Sequence, residues 1–198
     1  MNKPFSQACE NNKPFILPVI SQAFSQYKTV LEVGSGTGQH AVYFASNMPW
    51  LTWQTSDVIA NHQGINQWIK QYPATNLRAP IELDLNNNWP INNVDCVYTA
   101  NTLHIISWPL VKAFFKGVAT HVNTNGTLCI YGPFNYQGNF TSDSNANFDL
   151  WLKARDNQSG IRDIEAIKEL AAQAGLSLEH DHDMPANNRL LVFKKNGD

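Results

Sequence analysis

The run Val30-Leu31-Glu32-Val33-Gly34-Ser35-Gly36-Thr37-Gly38 sets three alternate glycines directly after a β-branched stretch. Such a strand-to-glycine exit lets backbone approach a ligand that side chains would exclude, and a following helix offers free N–H groups there. The pattern is not the dinucleotide fingerprint G-x-G-x-x-G, because Gln39 occupies the third glycine's place. Nor does a Lys-Ser/Thr pair follow, as a P-loop requires. Glu32, just ahead of the glycines, suits a positively charged group better than a pyrophosphate.

Two more acids stand at strand ends. Asp57 comes 23 residues after Gly34, near the spacing at which an acid in such folds accepts from ribose hydroxyls. Asp84 is placed to accept from an adenine amino group. Each has a plainer reading as a loop acid or helix cap. Asn101 can hydrogen-bond a ligand at the end of a fourth strand. His104, three residues on, is the histidine placed to remove a proton, since its ordinary pKa lies near neutrality. The alternative for His104 is a packed, hydrogen-bonded ring.

The elements that must carry these residues alternate. Strands are expected at Thr29–Val33, Leu51–Ser56, Ala79–Leu83, Val94–Ala100 and Thr127–Tyr131. Between them, apolar residues recur at helical spacing: Ala41, Phe44, Ala45, Met48; Ile65, Trp68, Ile69, Tyr72; Val111, Phe114, Phe115, Val118. Ser107 and Asp163 occupy N-cap positions, and Gly175 ends the last helix. Leu176–His182 and Leu190–Lys194, joined by Met184-Pro185-Ala186-Asn187-Asn188, fit an antiparallel hairpin. The plan is α/β and Rossmann-like: seven strands, mostly parallel with an antiparallel last strand, and helices on both faces. One domain over 1–198 is expected, with a helical lid at 1–27, its helix at Phe15–Phe24, and an inserted cap at 134–162.

Composition narrows the function classes. Fourteen Lys and Arg against sixteen Asp and Glu give a net charge of −2, no footprint for nucleic acid. No apolar run approaches the roughly 20 residues of a membrane span, nor is a signal peptide visible. Cys9, Cys96 and Cys129 are too scattered for a disulfide framework or zinc site, so a cytoplasmic setting is expected. His180-Asp181-His182-Asp183 places its histidines on one strand face, but no third ligand is evident and no metal is expected.

Glu32 to His40 resembles motif I of class I S-adenosylmethionine-dependent methyltransferases. More closely, the chain resembles the methyltransferase-like 26 family, formerly a domain of unknown function. Asn12–Ile16, Tyr131–Phe134, Ser142–Asp149 with Gly160–Asp163, and Met184–Asn188 carry that match. The resemblance implies S-adenosylmethionine as cofactor, held by Glu32, Gly34, Ser35, Gly36, Thr37, Gly38, Asp57, Asp84, Leu85, Asn101 and Leu103. It says little about a substrate; a small-molecule methyl acceptor is the expectation, and a catalytically silent cofactor-binding protein is the alternative. Acceptor contacts are expected from Asn12, Tyr131, Phe134, Arg155, Arg162, Asn187 and Asn188. Arg155 and Arg162 have a plainer reading as partners of Asp149, Asp156 or Asp163, and Asn187 and Asn188 as turn residues. No Asn/Asp-Pro-Pro-Tyr/Phe tetrapeptide follows strand four, which disfavours a nucleic-acid substrate. The oligomeric state is not set by sequence.

Overall fold

A computed structural model describes residues 3–197. Seven strands form one sheet: β1 Thr29–Val33, β2 Thr52–Asp57, β3 Leu77–Glu82, β4 Val94–Ala100, β5 Val122–Gly132, and, from the terminal hairpin, β8 Leu176–Met184 and β9 Asn188–Lys195. Their order across the sheet is β3-β2-β1-β4-β5-β9-β8. The strands β3, β2, β1, β4 and β5 pair in parallel, and β9 runs antiparallel to both β5 and β8.

The central strand β1 is buried along Val30–Val33 because both its faces are covered, which is why it reads as a continuous apolar run rather than an alternation. The helices α1 Gln7–Ala23, α2 Gln39–Asn47 and α3 His62–Gln71 pack one face through Ile16, Ile20, Phe44 and Trp68 around Trp53 and Tyr98. The opposite face is covered by α4 Trp108–His121 and α6 Ile164–Gln173, through Phe114, Phe115 and Ile167. From β1 the chain winds outward to β2 and β3 on one side and to β4 and β5 on the other. The carboxyl ends of β1 and β4 therefore frame the crevice where doubly wound folds bind ligands.

Between β5 and α6 the chain leaves the sheet. A two-residue pairing of β6 Phe134–Asn135 with β7 Arg162–Asp163 pinches the base of this excursion, and α5 Asp143–Arg155 is its body. The Ser142 hydroxyl caps α5 by accepting from the Asn145 N–H at 3.2 Å.

Several expected boundaries move. The first helix starts at Gln7, not at Phe15: the Ser6 hydroxyl caps it at the Cys9 N–H, and Pro14 and Pro18 lie inside it. Proline normally ends a helix, but here Asn12, Ile16 and Ile20 stack four residues apart on a buried face that holds the helix across both prolines. The third strand begins two residues early, and the fifth extends back to Val122 directly from α4. Ser107 and Asp163 stand at N-cap positions, but neither side chain makes the capping hydrogen bond. Gly175 ends its helix at φ +73° as expected. No helix among the described residues is long and apolar enough to cross a membrane.

Candidate functional site

The three alternate glycines all adopt positive φ, at +75°, +57° and +89°, but for different reasons. A Cβ on Gly34 would lie 2.9 Å from the Thr102 hydroxyl, and one on Gly38 would lie 3.0 Å from Ile65 Cα. Gly38 thus lets α2 settle against α3 and lies outside the cleft lining rather than in it. A Cβ on Gly36 would meet nothing within 4 Å, because that face opens into a cleft of about 1080 Å³ at the carboxyl edge of the sheet.

Two acids shape this end of the cleft. Glu32 is buried beneath the loop, where its carboxylate accepts from Trp53 Nε1 at 3.1 Å and from the Ser35 hydroxyl at 2.9 Å. Burial raises its pKa to about 7; those two hydrogen bonds oppose the rise and the Asp57 charge adds to it. Asp57, at the end of β2, accepts from the Gly36 N–H at 2.7 Å, the Val58 N–H at 2.8 Å and the Asn61 amide at 2.8 Å. It ties the tip of the glycine loop to the start of the next turn. Asp84 is different. It lies outside the cleft lining and accepts from the Asn86 backbone and side chain, the loop-acid role, while Leu85 packs against the core.

Gln39, where a dinucleotide fold would have glycine, clamps α1 over the loop. Its amide oxygen accepts from the Ser6 N–H at 2.5 Å, and its amide nitrogen donates to the Ser6 carbonyl at 3.2 Å and to Glu10 at 2.6 Å. Next to it, buried His40 contacts Asn12 Oδ1 through Nε2 at 2.6 Å and the Tyr98 hydroxyl through Nδ1 at 3.3 Å. An amide oxygen only accepts, so Nε2 carries the ring proton and the Tyr98 hydroxyl donates to Nδ1. Burial lowers the His40 pKa to about 4, with Lys13 adding to the effect, and the ring is neutral. Asn12 also faces the Tyr131 hydroxyl, whose pKa burial pushes up to about 12. Asn12, His40 and Tyr131 all line the cleft. Composition and periodicity do not flag Gln39 or His40; the one available signal is the Gln39-His40 pair closing the glycine motif.

Across the cleft stands His104. Four consecutive carbonyls around it are each held by the segment that closes the cap. Arg162 Nε donates to Leu103 O at 3.0 Å, the Gly160 N–H to His104 O at 2.9 Å, the Ser159 hydroxyl to Ile105 O, and Arg162 Nη2 to Ile106 O at 2.5 Å. The His104 backbone is therefore rigidly placed. Its ring is 4 % exposed and meets Phe148 edge-on at 5.5 Å, and no described residue hydrogen-bonds it. Burial lowers its pKa to about 4, with the Arg162 charge adding to the effect, so the ring is neutral at physiological pH.

The expected acceptor residues divide. Asn12, Tyr131, Arg155 and Asn188 line the cleft with His104 and Asn101. Asn101 sits at φ +56°, its N–H donating to the Tyr131 carbonyl. Three others do not reach it. Phe134 is in the core, and Arg162 spends its guanidinium on the carbonyls of Leu103, Ile106 and Gln158. Asn187 docks the hairpin turn on α5, its carbonyl accepting from Asn145 at 3.1 Å and its amide donating to Ser144 at 3.2 Å. Leu103 is likewise a core residue and not a cleft contact. Phe148, Trp151 and Ile105 add an apolar stretch to the lining.

Away from the cleft, Asp181 pairs with Arg189 at 2.7 Å and accepts from the Tyr136 hydroxyl at 2.7 Å. Among the described residues no group of three His, Cys, Asp or Glu is placed to hold a metal ion.

Solved structures share this architecture. An O-methyltransferase family protein from Burkholderia thailandensis superposes with a TM-score of 0.82 at 19% identity, over 93% of this chain and 56% of its own. An O-methyltransferase family 2 protein from Planctomyces limnophilus, solved with apigenin, gives 0.83 at 17% identity, over 93% and 56%. The S-adenosylmethionine-dependent methyltransferase SibL gives 0.77 at 18% identity, over 96% and 56%. The chain spans a little over half the length of these proteins, and its fold is the α/β fold of class I methyltransferases. Over residues 3–195 it matches the family model described as "Protein of unknown function (DUF938)", and it belongs to that family.

Proposed function

We propose that the chain is an S-adenosylmethionine-dependent methyltransferase acting on a small-molecule acceptor, akin to the methyltransferase-like 26 family that its sequence resembles. The observation that carries the reading is the pairing of two ends in one cleft. A glycine loop flanked by Glu32 and Asp57 forms one, and a neutral His104 whose ring no described residue hydrogen-bonds stands at the other. The solved methyltransferases of the same fold support it.

The cofactor fits the residues present: Gly36 leaves open space where a side chain would intrude, and the acids beside it suit a cationic, ribose-bearing ligand. When bound, it supplies a methyl group on a sulfonium, ready for in-line displacement. Glu32 would balance the positive charge of that ligand, Asp57 would accept from its ribose hydroxyls, and the turn at Gly34, Ser35 and Thr37, held by the Gly34 and Ser35 N–H groups on the Ser56 carbonyl, would let the ligand come close to backbone. The clamp of Gln39 on Ser6 keeps α1 over this end, where it would limit the access of water to a bound ligand.

At the acceptor end, alignment of the nucleophile supplies most of the acceleration. His104 takes the acceptor's proton. The ring is neutral and can accept a proton from a hydroxyl acceptor such as a phenol, whose proton becomes far more acidic as its oxygen takes the methyl group.

Isothermal titration with S-adenosylmethionine tests the cofactor half. Tight binding by the wild type, with large loss in folded Gly36→Val and Asp57→Ala, is expected; no binding by the wild type refutes the proposal. Transfer of a labelled methyl group to a panel of small hydroxylated acceptors tests the chemistry. Tight binding with transfer to none would identify a silent cofactor-binding protein instead.

A further inference from the structure

Three ring contacts lead from His104 to the mouth of the cleft. His104 meets Phe148 edge-on at 5.5 Å, Phe148 stacks on Trp151 at 5.7 Å and 19°, and the Arg155 guanidinium lies 4.6 Å from the Trp151 ring centre. All four side chains line the cleft. The row therefore runs from a proton acceptor, along a flat aromatic wall, to a fixed cation. Trp151 is 51% exposed, a large apolar surface left uncovered at the mouth.

Arg155 is the only Lys or Arg among the described residues lining the cleft, and it pairs with no described carboxylate. Its neighbour Asp156 also lines the mouth, but accepts from the Gln158 N–H at 2.9 Å and forms no ion pair with it. Lys153, on the same helix, is taken by buried Asp149 at 2.6 Å. The remaining acids of the lining, Glu32 and Asp57, belong to the glycine-loop end. A guanidinium that lies over an aromatic ring and forms no ion pair keeps N–H donors to offer, and its planar fork can grip a carboxylate with two parallel hydrogen bonds.

We propose that the methyl acceptor is a planar aromatic acid, its ring along Phe148 and Trp151, its anionic group on Arg155 and its reacting hydroxyl toward His104. The assignment of the reacting end rests on the methyltransferase reading; the anion site does not. Specificity then comes from the two poles of the cleft, and the aromatic wall supplies affinity.

Binding tests this without turnover. The full chain, saturated with S-adenosylhomocysteine, is titrated calorimetrically with 4-hydroxybenzoate, 4-hydroxycinnamate, 3-hydroxy-2-naphthoate and the methyl ester of each. At least one acid should bind about tenfold or more tighter than its ester, the worth of a charge-assisted hydrogen-bonding pair. Arg155→Gln, at an exposed position that leaves the fold intact, should erase that preference while changing ester binding less than about twofold. Arg155→Lys should restore part of it. Esters binding as well as acids throughout the panel, no binding of any acid, or a preference that survives Arg155→Gln would each overturn the proposal. Failure of the methyltransferase reading looks different: the adenosyl ligand does not bind, yet the acids still do in an Arg155-dependent way.

Discussion

Glu32→Gln separates what the glycine-loop acid does for binding from what it costs the fold. A carboxylate sheltered beneath the loop has a pKa near 7 instead of the 4.5 of an exposed glutamate. Folding therefore takes up a proton between these values. The contribution to stability is complete below about pH 4.5 and is lost as the pH rises through 7. At 1.36 kcal/mol per unit, the ionised form carries a cost of about 3 kcal/mol above pH 8. Glutamine keeps an acceptor oxygen for Trp53 and Ser35 and cannot ionise. Urea denaturation without cofactor should find the variant gaining about 1–3 kcal/mol relative to wild type between pH 5 and pH 8. His40 and His104, both lowered to about 4, lose stability in the opposite direction, as pH falls from about 6.5 to 4. Both proteins contain them, so they cancel in the difference. Affinity for S-adenosylmethionine at pH 8 should fall at the same time, because the charge that faced its cationic groups is gone. A stability difference that does not vary with pH would refute the buried-carboxyl argument. A stability gain with undiminished binding would refute the cofactor role.

Gln39→Ala removes three hydrogen bonds to the start of α1. Hydrogen exchange over residues 4–12 should rise by an order of magnitude or more and S-adenosylmethionine binding should weaken, while α3 keeps its protection. Arg162→Met strips two carbonyls beside His104 of their donor and should cost about 2–4 kcal/mol in urea denaturation. It should also raise the His104 pKa, read by proton NMR titration, since the cation beside the ring has gone. His104→Ala should slow methyl transfer by about 10²-fold at saturating cofactor without changing cofactor affinity. The wild-type rate should fall only as pH drops toward 4, where the ring gains its proton.

What local sequence determined about this protein is the order of its strands and helices and the chemistry of the β1 exit. Those follow from short-range rules: apolar period, glycine where φ must be positive, an acid at a strand tip. The placement of Glu32, Gly36 and Asp57 at the exits of β1 and β2 is legible for that reason. Three acceptor assignments are not, because burial and partner choice depend on distant segments. Arg162 looks like an anion receptor in sequence, yet the carbonyls of Leu103 and Ile106, some sixty residues away, claim its donors. Asp84 stands at a strand end, as a cofactor ligand would, but lies in a turn closed by Asn86. The helix that begins at Gln7 defies its own prolines, because Asn12, Ile16 and Ile20 are buried against α2 and the sheet. Only the tertiary structure could decide that Gln39 holds that helix over the loop, or that His104 stands neutral with no described residue hydrogen-bonding its ring. A hydrogen bond between residues 39 and 6, and the desolvation of one ring, are properties of packing between elements, and no local pattern encodes them.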